Sequence, residues 1–270
     1  MDGAYTAILN DMIAAVRQAS QLMRGGDFEI SCKDSVANIV TSADIAVQKF
    51  LQEKLCSFLP GSVFFGEEGS AAMAKGEYQW IVDPIDGTMN FSRGMGESGI
   101  SVALVKNGQP VAAVVYNPFK QELFAAEAGM GAWLNGQRIQ VSDASFAEGL
   151  FCTAWSLYNK SLAPQCMAVM EEVYAQCNDF RRFGSCALEL CYLAVGRCDL
   201  FFEMRVFPWD HAAGGLILQE AGGMVSGLEG APLLFDRTTP VIAANNAQNH
   251  EKLCKIIKKH VPCVPYEEIL

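Results

Sequence analysis

The stretch Trp80-Ile81-Val82-Asp83-Pro84-Ile85-Asp86-Gly87-Thr88-Met89-Asn90-Phe91 constrains this chain more than any other. Three bulky apolar residues running into Asp-Pro read as a short buried strand. Pro84 has no amide to give a ladder, and it biases Asp83 toward extended dihedrals. The strand is therefore expected to stop at Asp83. Two carboxylates three residues apart across a proline-containing turn can converge on one point, and the amides of Gly87 and Thr88 face an anion if a helix begins there. Convergent carboxylates beside amide donors suggest a metal and a phosphate.

Composition narrows the setting. With 270 residues, 51% of them hydrophobic, the chain can fill one large domain or two lobes. A formal charge of -10 argues against a nucleic-acid-binding surface. It would also repel a phosphorylated substrate unless cations were bound. No basic segment followed by an apolar one opens the chain, so the ten cysteines are read as cytoplasmic thiols. They contain no Cys-x-x-Cys pair, and Cys186, Cys191 and Cys198 fall in an apolar helical pattern, which makes them core residues before zinc ligands. No apolar run approaches the ~18 residues that span a membrane.

Along the chain, Ile8, Leu9, Met12, Ile13, Val16, Ala19 and Met23 recur at helical spacing and stop at Gly25-Gly26. Asp27 to Asn38 reads as polar and irregular. Thr41-Ser42-Ala43-Asp44 then starts a second helix carrying Val47, Leu51, Leu55 and Phe58. Strands are predicted at Val63–Phe65 and Trp80–Val82, and an antiparallel meander runs from Ile100 to Val141 with turns at Asn107-Gly108, Asn117-Pro118 and Asn135-Gly136. After Leu150, strands alternate with helices. Strands are expected at 150–154, 180–183, 200–203 and 241–244, and helices at 162–175, 186–195, after Trp209-Asp210, and from Asn246 to about His260. That alternation predicts an α/β lobe after an α+β one, the two covering 1–145 and 146–270 with the boundary near Ser142 to Gly149.

Glu67, Asp83, Asp86 and Asp210 each stand at a predicted strand end or helix start, where function collects in α/β proteins. Singly, each is as well explained as a turn residue or cap, most plainly for Asp86-Gly87 and for Asp210. Together they form a site for a hard cation such as Mg²⁺. At ~4 Å and an effective dielectric near 20, each carboxylate pair costs roughly 4 kcal/mol, so the cluster needs a cation to be tolerable.

The segments Gly66-Glu67-Glu68, Asp83-Pro84-Ile85-Asp86-Gly87-Thr88-Met89-Asn90-Phe91, Gly184-Ser185-Cys186-Ala187, and Trp209-Asp210 through Glu220-Ala221-Gly222-Gly223 resemble the inositol monophosphatase family in order and spacing. The resemblance spans nearly the whole chain. It implies a layered αβαβα fold, a Mg²⁺-dependent phosphomonoesterase and a homodimer. By the same resemblance Glu67, Asp83 and the Ile85 carbonyl hold one Mg²⁺. Asp83, Asp86 and Asp210 hold a second, and a weaker third ion lies near Glu67. The Gly87 and Thr88 amides are then the phosphate cradle, and Thr88 with Asp44 orients the attacking water, although Asp44 is equally a helix N-terminal charge. Gly184 and Cys186 fall among the substrate contacts, Cys186 as a small residue and not a nucleophile. His211 is read as structural.

Substrate choice has alternatives. Glu203, seven residues before Asp210, resembles the carboxylate that accepts from ring hydroxyls in inositol-type members, which favours myo-inositol 1-phosphate or a similar polyol monophosphate. A solvated strand-end glutamate is the plain reading. Arg181, Arg182 and Arg205 would instead suit a second phosphate, as in fructose 1,6-bisphosphate or adenosine 3',5'-bisphosphate; histidinol phosphate is a further candidate. Lys33 falls where the family has a lysine close to the third metal, and an exposed loop lysine is the alternative. A non-catalytic interaction protein retaining the fold is the rival of a different class.

Overall fold

The computed structural model describes residues 3–24, 28–35, 38–69, 76–154 and 159–261. α1 (Thr6–Ala19) buries Leu9, Met12, Val16 and Ala19 and continues into a 3₁₀ turn, Ser20–Met23. The next stretch, read from sequence as irregular, contains an antiparallel hairpin of β1 (Ile30–Ser35) and β2 (Asn38–Thr41). The hairpin escaped notice because Ile30 to Lys33 are all exposed, so no apolar alternation marks the ribbon. α2 (Ser42–Phe58) starts where expected. The Thr41 hydroxyl accepts from the Asp44 amide and the Asp44 carboxylate accepts from the Thr41 amide, a closed capping box.

β3 (Val63–Gly66) runs parallel to β4 (Tyr78–Asp86). β4 does not stop at Asp83 as predicted. Its register against β5 (Gly99–Lys106) shifts between Asp83 and Asp86, so Pro84 sits in a bulge where no ladder donor is needed. The Ile85 amide turns to Asp83 Oδ1 at 2.9 Å instead. α3 (Thr88–Ser92) follows, and β6 (Gln109–Asn117), β7 (Glu122–Glu127), β8 (Gly131–Leu134) and β9 (Gln137–Ile139) complete a seven-stranded sheet in chain order. The predicted meander is present.

The second sheet has five strands and is mixed. β10 (Leu150–Ala154) is parallel to β11 (Asp179–Arg181) and β12 (Leu200–Val206), whereas β14 (Thr239–Ala244) is antiparallel to β12 and to β13 (Met224–Ser226). The strand expected at Phe180–Phe183 ends at Arg181, and β13 had not been anticipated. Its helices are α4 (Ala163–Tyr174), α5 (Cys186–Ala194), α6 (Pro208–Glu220) and α7 (Ala247–His260). α6 begins before Trp209-Asp210, so Asp210 lies in its first turn.

Three cores stack these parts. Trp80, Val82, Val102, Leu104 and Val114 face α1 and α2, whereas the alternate residues Ile81, Ala103, Val105, Ala113 and Val115 face α5 and α6. In β12, Phe201 and Val206 share that inner core, while Leu200, Phe202 and Met204 face α4 and α7. The result is the αβαβα layering. Both sheets are covered on both faces, so their central strands read as unbroken apolar runs. Among the described residues no helix is long and apolar enough to cross a membrane.

Candidate active site

One pocket of about 90 Å³ lies where β4 ends and α5 and α6 begin. It is lined by Glu67, Asp83, Ile85, Asp86, Gly87, Thr88, Gly184, Cys186, Glu203, Arg205 and Asp210. Residues far apart in sequence thus meet at one point. Carboxylate oxygens of Asp83, Asp86 and Asp210 lie within 4.8 Å of one another, with Asp83 and Asp86 buried and Asp210 half-buried. Glu67 borders the pocket outside that trio. Its amide donates to the Val82 carbonyl (3.2 Å) and its carboxylate accepts from Lys33 Nζ (2.8 Å).

Asp83 and Asp210 are each held from within their own element, Asp86 from another. The Asp83 carboxylate accepts from the Ile85 amide, and Asp210 Oδ2 accepts from the Phe207 amide at 2.9 Å in the first turn of α6. Asp86 Oδ2 accepts from Ser185 Oγ (2.6 Å) and from the Ala187 amide (2.7 Å), which ties β4 to α5. Burial, and then neighbouring carboxylates, pushes Asp83 and Asp210 well above the usual carboxylate range. Asp86 rises to about 6, burial outweighing its hydrogen-bond donors. Three carboxylates this close repel one another without a counter-charge, and a hard divalent cation suits them, since every donor is oxygen. Residues and Mg²⁺ fit.

Thr88 Oγ1 lies 3.0 Å from the Ile85 carbonyl and 3.3 Å from Asp44 Oδ1. The two readings of Asp44 are compatible in this geometry. Its Oδ2 takes the Thr41 amide (2.8 Å) as a cap, and its Oδ1 points to Thr88. Asp44 is buried, and desolvation raises its carboxyl to about 6. Lys33 bonds Glu67 and Glu68 outside the pocket lining. Burial opposes its charge, but the two glutamates more than offset that and raise its pKa.

Gly87 caps α3 in the left-handed region at φ 82. A Cβ there would meet the Glu97 carbonyl at 2.8 Å and the Gly184 carbonyl at 3.2 Å. Gly87→Ala is therefore expected to lower stability by roughly 2 kcal/mol or more, read as a fall in the urea midpoint at unchanged slope.

Cys186 is buried, and desolvation drives its thiol well above the usual range, in keeping with a small wall residue. Glu203 reaches the pocket half-buried, pushed up by burial and by Glu189. Arg181 turns away to Asp179 at 2.5 Å. Arg182 and Arg205 do line the pocket, and the buried Arg205 Nε has no hydrogen-bond partner among the described residues. His211 is fully buried and held neutral, its pKa lowered by desolvation to about 3. The nine described cysteines are all free thiols. Sequence reasoning missed Glu189 and Asn90, which brace the Gly184 turn, and the pocket wall from Asn38, Ile39 and Met89. A lone acid inside the apolar pattern of α5 was the available sign for Glu189.

Residues 2–261 match the model of the inositol monophosphatase family. Nus factor SuhB of Pasteurella multocida is 35% identical over 96% of this chain and 98% of its own length. Inositol-1-monophosphatase of Rhizobium meliloti is 34% identical over 96% of this chain and 99% of its own. Among solved structures, extragenic suppressor protein suhB of Bartonella henselae superposes with a TM-score of 0.86 at 33% identity, over 94% of this chain and all of that one.

Proposed function

Because this chain belongs to the inositol monophosphatase family, we propose that it is a Mg²⁺-dependent phosphomonoesterase acting on myo-inositol 1-phosphate or a similar small polyol monophosphate. The observation that carries the reading is the trio Asp83, Asp86 and Asp210 within 4.8 Å, beside the Thr88–Asp44 pair. In this proposal those acids, Glu67 and the Ile85 carbonyl would hold two or three ions. When bound, Mg²⁺ supplies the charge neutralisation and the acidification of water that phosphoryl transfer needs.

The protein's own groups do the rest. Thr88 Oγ1 and Asp44 Oδ1 orient the attacking water, with Asp44 positioned to take up its proton. The amides of Gly87 and Thr88 receive phosphate oxygens, and Gly184 and Cys186 wall the substrate. Glu203 accepts from polyol hydroxyls. A homodimer and a cytoplasmic location belong to the same reading.

Phosphate release with Mg²⁺ from inositol 1-phosphate, fructose 1,6-bisphosphate, adenosine 3',5'-bisphosphate and histidinol phosphate tests it. Inositol 1-phosphate is expected to give the highest kcat/KM. Arg182 and Arg205 favour the second reading, a bisphosphate, because both line the pocket and could meet a second anionic group. That reading wins if fructose 1,6-bisphosphate leads the panel. The name Nus factor carried by the Pasteurella multocida relative keeps a non-catalytic role open. Absence of Mg²⁺-dependent release from all four esters would select it. Glu203→Gln is expected to raise KM for inositol 1-phosphate about tenfold, since an amide nitrogen in place of one carboxyl oxygen leaves a substrate hydroxyl without its acceptor, worth ~1.5 kcal/mol. An unchanged KM removes Glu203 from the substrate contacts.

A further inference from the structure

α5 is apolar on nearly every side, and its single charged residue, Glu189, is completely buried. Its Oε1 accepts from the amides of Phe183 (2.6 Å) and Gly184 (3.0 Å), whereas Oε2 has no hydrogen-bond partner among the described residues. A buried carboxyl with one bare oxygen costs stability, so the bonds at its other oxygen call for an explanation. They hold a turn. Asn90 Nδ2 grips the same turn from the opposite side, donating to the carbonyls of Phe183 (2.6 Å) and Glu97 (2.8 Å). Gly184 at the centre lies in the left-handed region at φ 81, where a glycine backbone has little to hold it by itself.

What the turn carries matters more. Immediately after Gly184, Ser185 Oγ donates to Asp86 Oδ2, and the Ala187 amide donates to the same oxygen. The path from Glu189 to the carboxylate trio is therefore short: a hydrogen bond to the Gly184 amide, the Gly184–Ser185 backbone, and a hydrogen bond from Ser185 to Asp86. Ser185 also caps α5 through the Leu188 amide, so helix start, turn and Asp86 move together.

We propose that Glu189 is a positioning residue for the divalent-cation site: by holding the Phe183 and Gly184 amides it fixes the turn from which Ser185 and Ala187 aim Asp86. The inference rests on the reading of Asp86 as a cation ligand. Burial raises the Glu189 carboxyl to about 8, against the pull of the two amides and with Asp86 and Arg182 as its charged neighbours. At neutral pH the group is thus mostly the uncharged acid, and its carbonyl oxygen still accepts both amides. Glutamine copies that shape and acceptor. Leucine copies only the bulk.

The test is calorimetric titration of the metal-free full chain with Mg²⁺ alone, comparing wild type, Glu189→Gln and Glu189→Leu. Glu189→Gln is expected to bind within about twofold of wild type and Glu189→Leu at least about tenfold more weakly. Exchange of the Phe183 and Gly184 amides, followed by NMR without metal, is expected to speed up in Glu189→Leu and not in Glu189→Gln. Glu189→Met serves in place of the leucine variant if thermal unfolding shows that leucine is not accommodated. Wild-type Mg²⁺ affinity in the apolar variant overturns the inference, and so does equal weakening by glutamine and leucine. If the unaltered chain binds no Mg²⁺, the cation reading of the whole site falls first, which is a separate and recognisable result.

Discussion

Asp83→Asn is expected to remove Mg²⁺-dependent phosphate release by at least about 10³-fold, some 4 kcal/mol of barrier, while raising the melting temperature of the metal-free chain. The two effects have one cause. Asp83 is nearly fully buried, and its carboxyl faces those of Glu67, Asp86 and Asp210. Asparagine keeps an oxygen that can accept from the Ile85 amide, so the bulge in β4 is retained. It removes the charge that makes the trio repel, and the same charge is what a shared cation requires. Activity and stability should therefore move in opposite directions. Differential scanning fluorimetry with and without Mg²⁺, beside a phosphate-release assay, reads both. Near wild-type release at saturating Mg²⁺ would exclude Asp83 as the central ligand, and a lowered metal-free melting temperature would show that repulsion is not what the cluster stores.

The second large effect is on pH. In the metal-free chain Asp44 and Asp86 are raised from 3.8 to about 6, by burial first. The folded state then holds their protons more tightly than the unfolded state. Their contribution is complete below the unfolded value of 3.8 and is lost as pH rises through the folded value near 6. Chelator-treated protein is expected to lose on the order of 5–10 °C of melting temperature between about pH 4 and pH 6, and to fall further as pH rises through about 8, the raised value of Glu189. Mg²⁺ at pH 7 should restore the loss, since it binds only the ionised site. A metal-free melting temperature that climbs through this window would mean that the acids are not desolvated in the folded chain. Asp44→Asn and Asp83→Asn should each flatten the slope, which separates the cluster from the general self-repulsion of a chain carrying -10.

Much of this molecule was legible in one dimension because its strongest determinants are local. Capping of α2 by Thr41 and Asp44, the Asn-Gly turns of the meander, and the helical spacing of α1 and α7 are short-range chemistry. The failures share a different physics. In the hairpin of β1 and β2, Ile30 to Lys33 are exposed and Asn38 to Val40 only half-buried, so these residues carry no clear period. β4 overran its expected end because a register shift against β5 removes the need for the amide that Pro84 lacks. Only a partner strand can supply that.

The same division runs through the candidate site. Residue types that suit a hard cation and a phosphate are written in Asp83 to Thr88, in Glu67 and in Asp210, since carboxylate chemistry belongs to the side chain wherever it lies. Convergence belongs to the fold. It took α6, packed between two sheets, to bring Asp210 to the end of β4, and α5 to offer Ser185 and Ala187 to Asp86. It also took burial to lift those acids out of their ordinary range, because desolvation depends on everything the fold packs around a group and not on its chain neighbours alone. Arg181 and Arg182 make the point in the smallest compass: adjacent and identical in type, one is paired with Asp179 at the surface and the other lines the pocket.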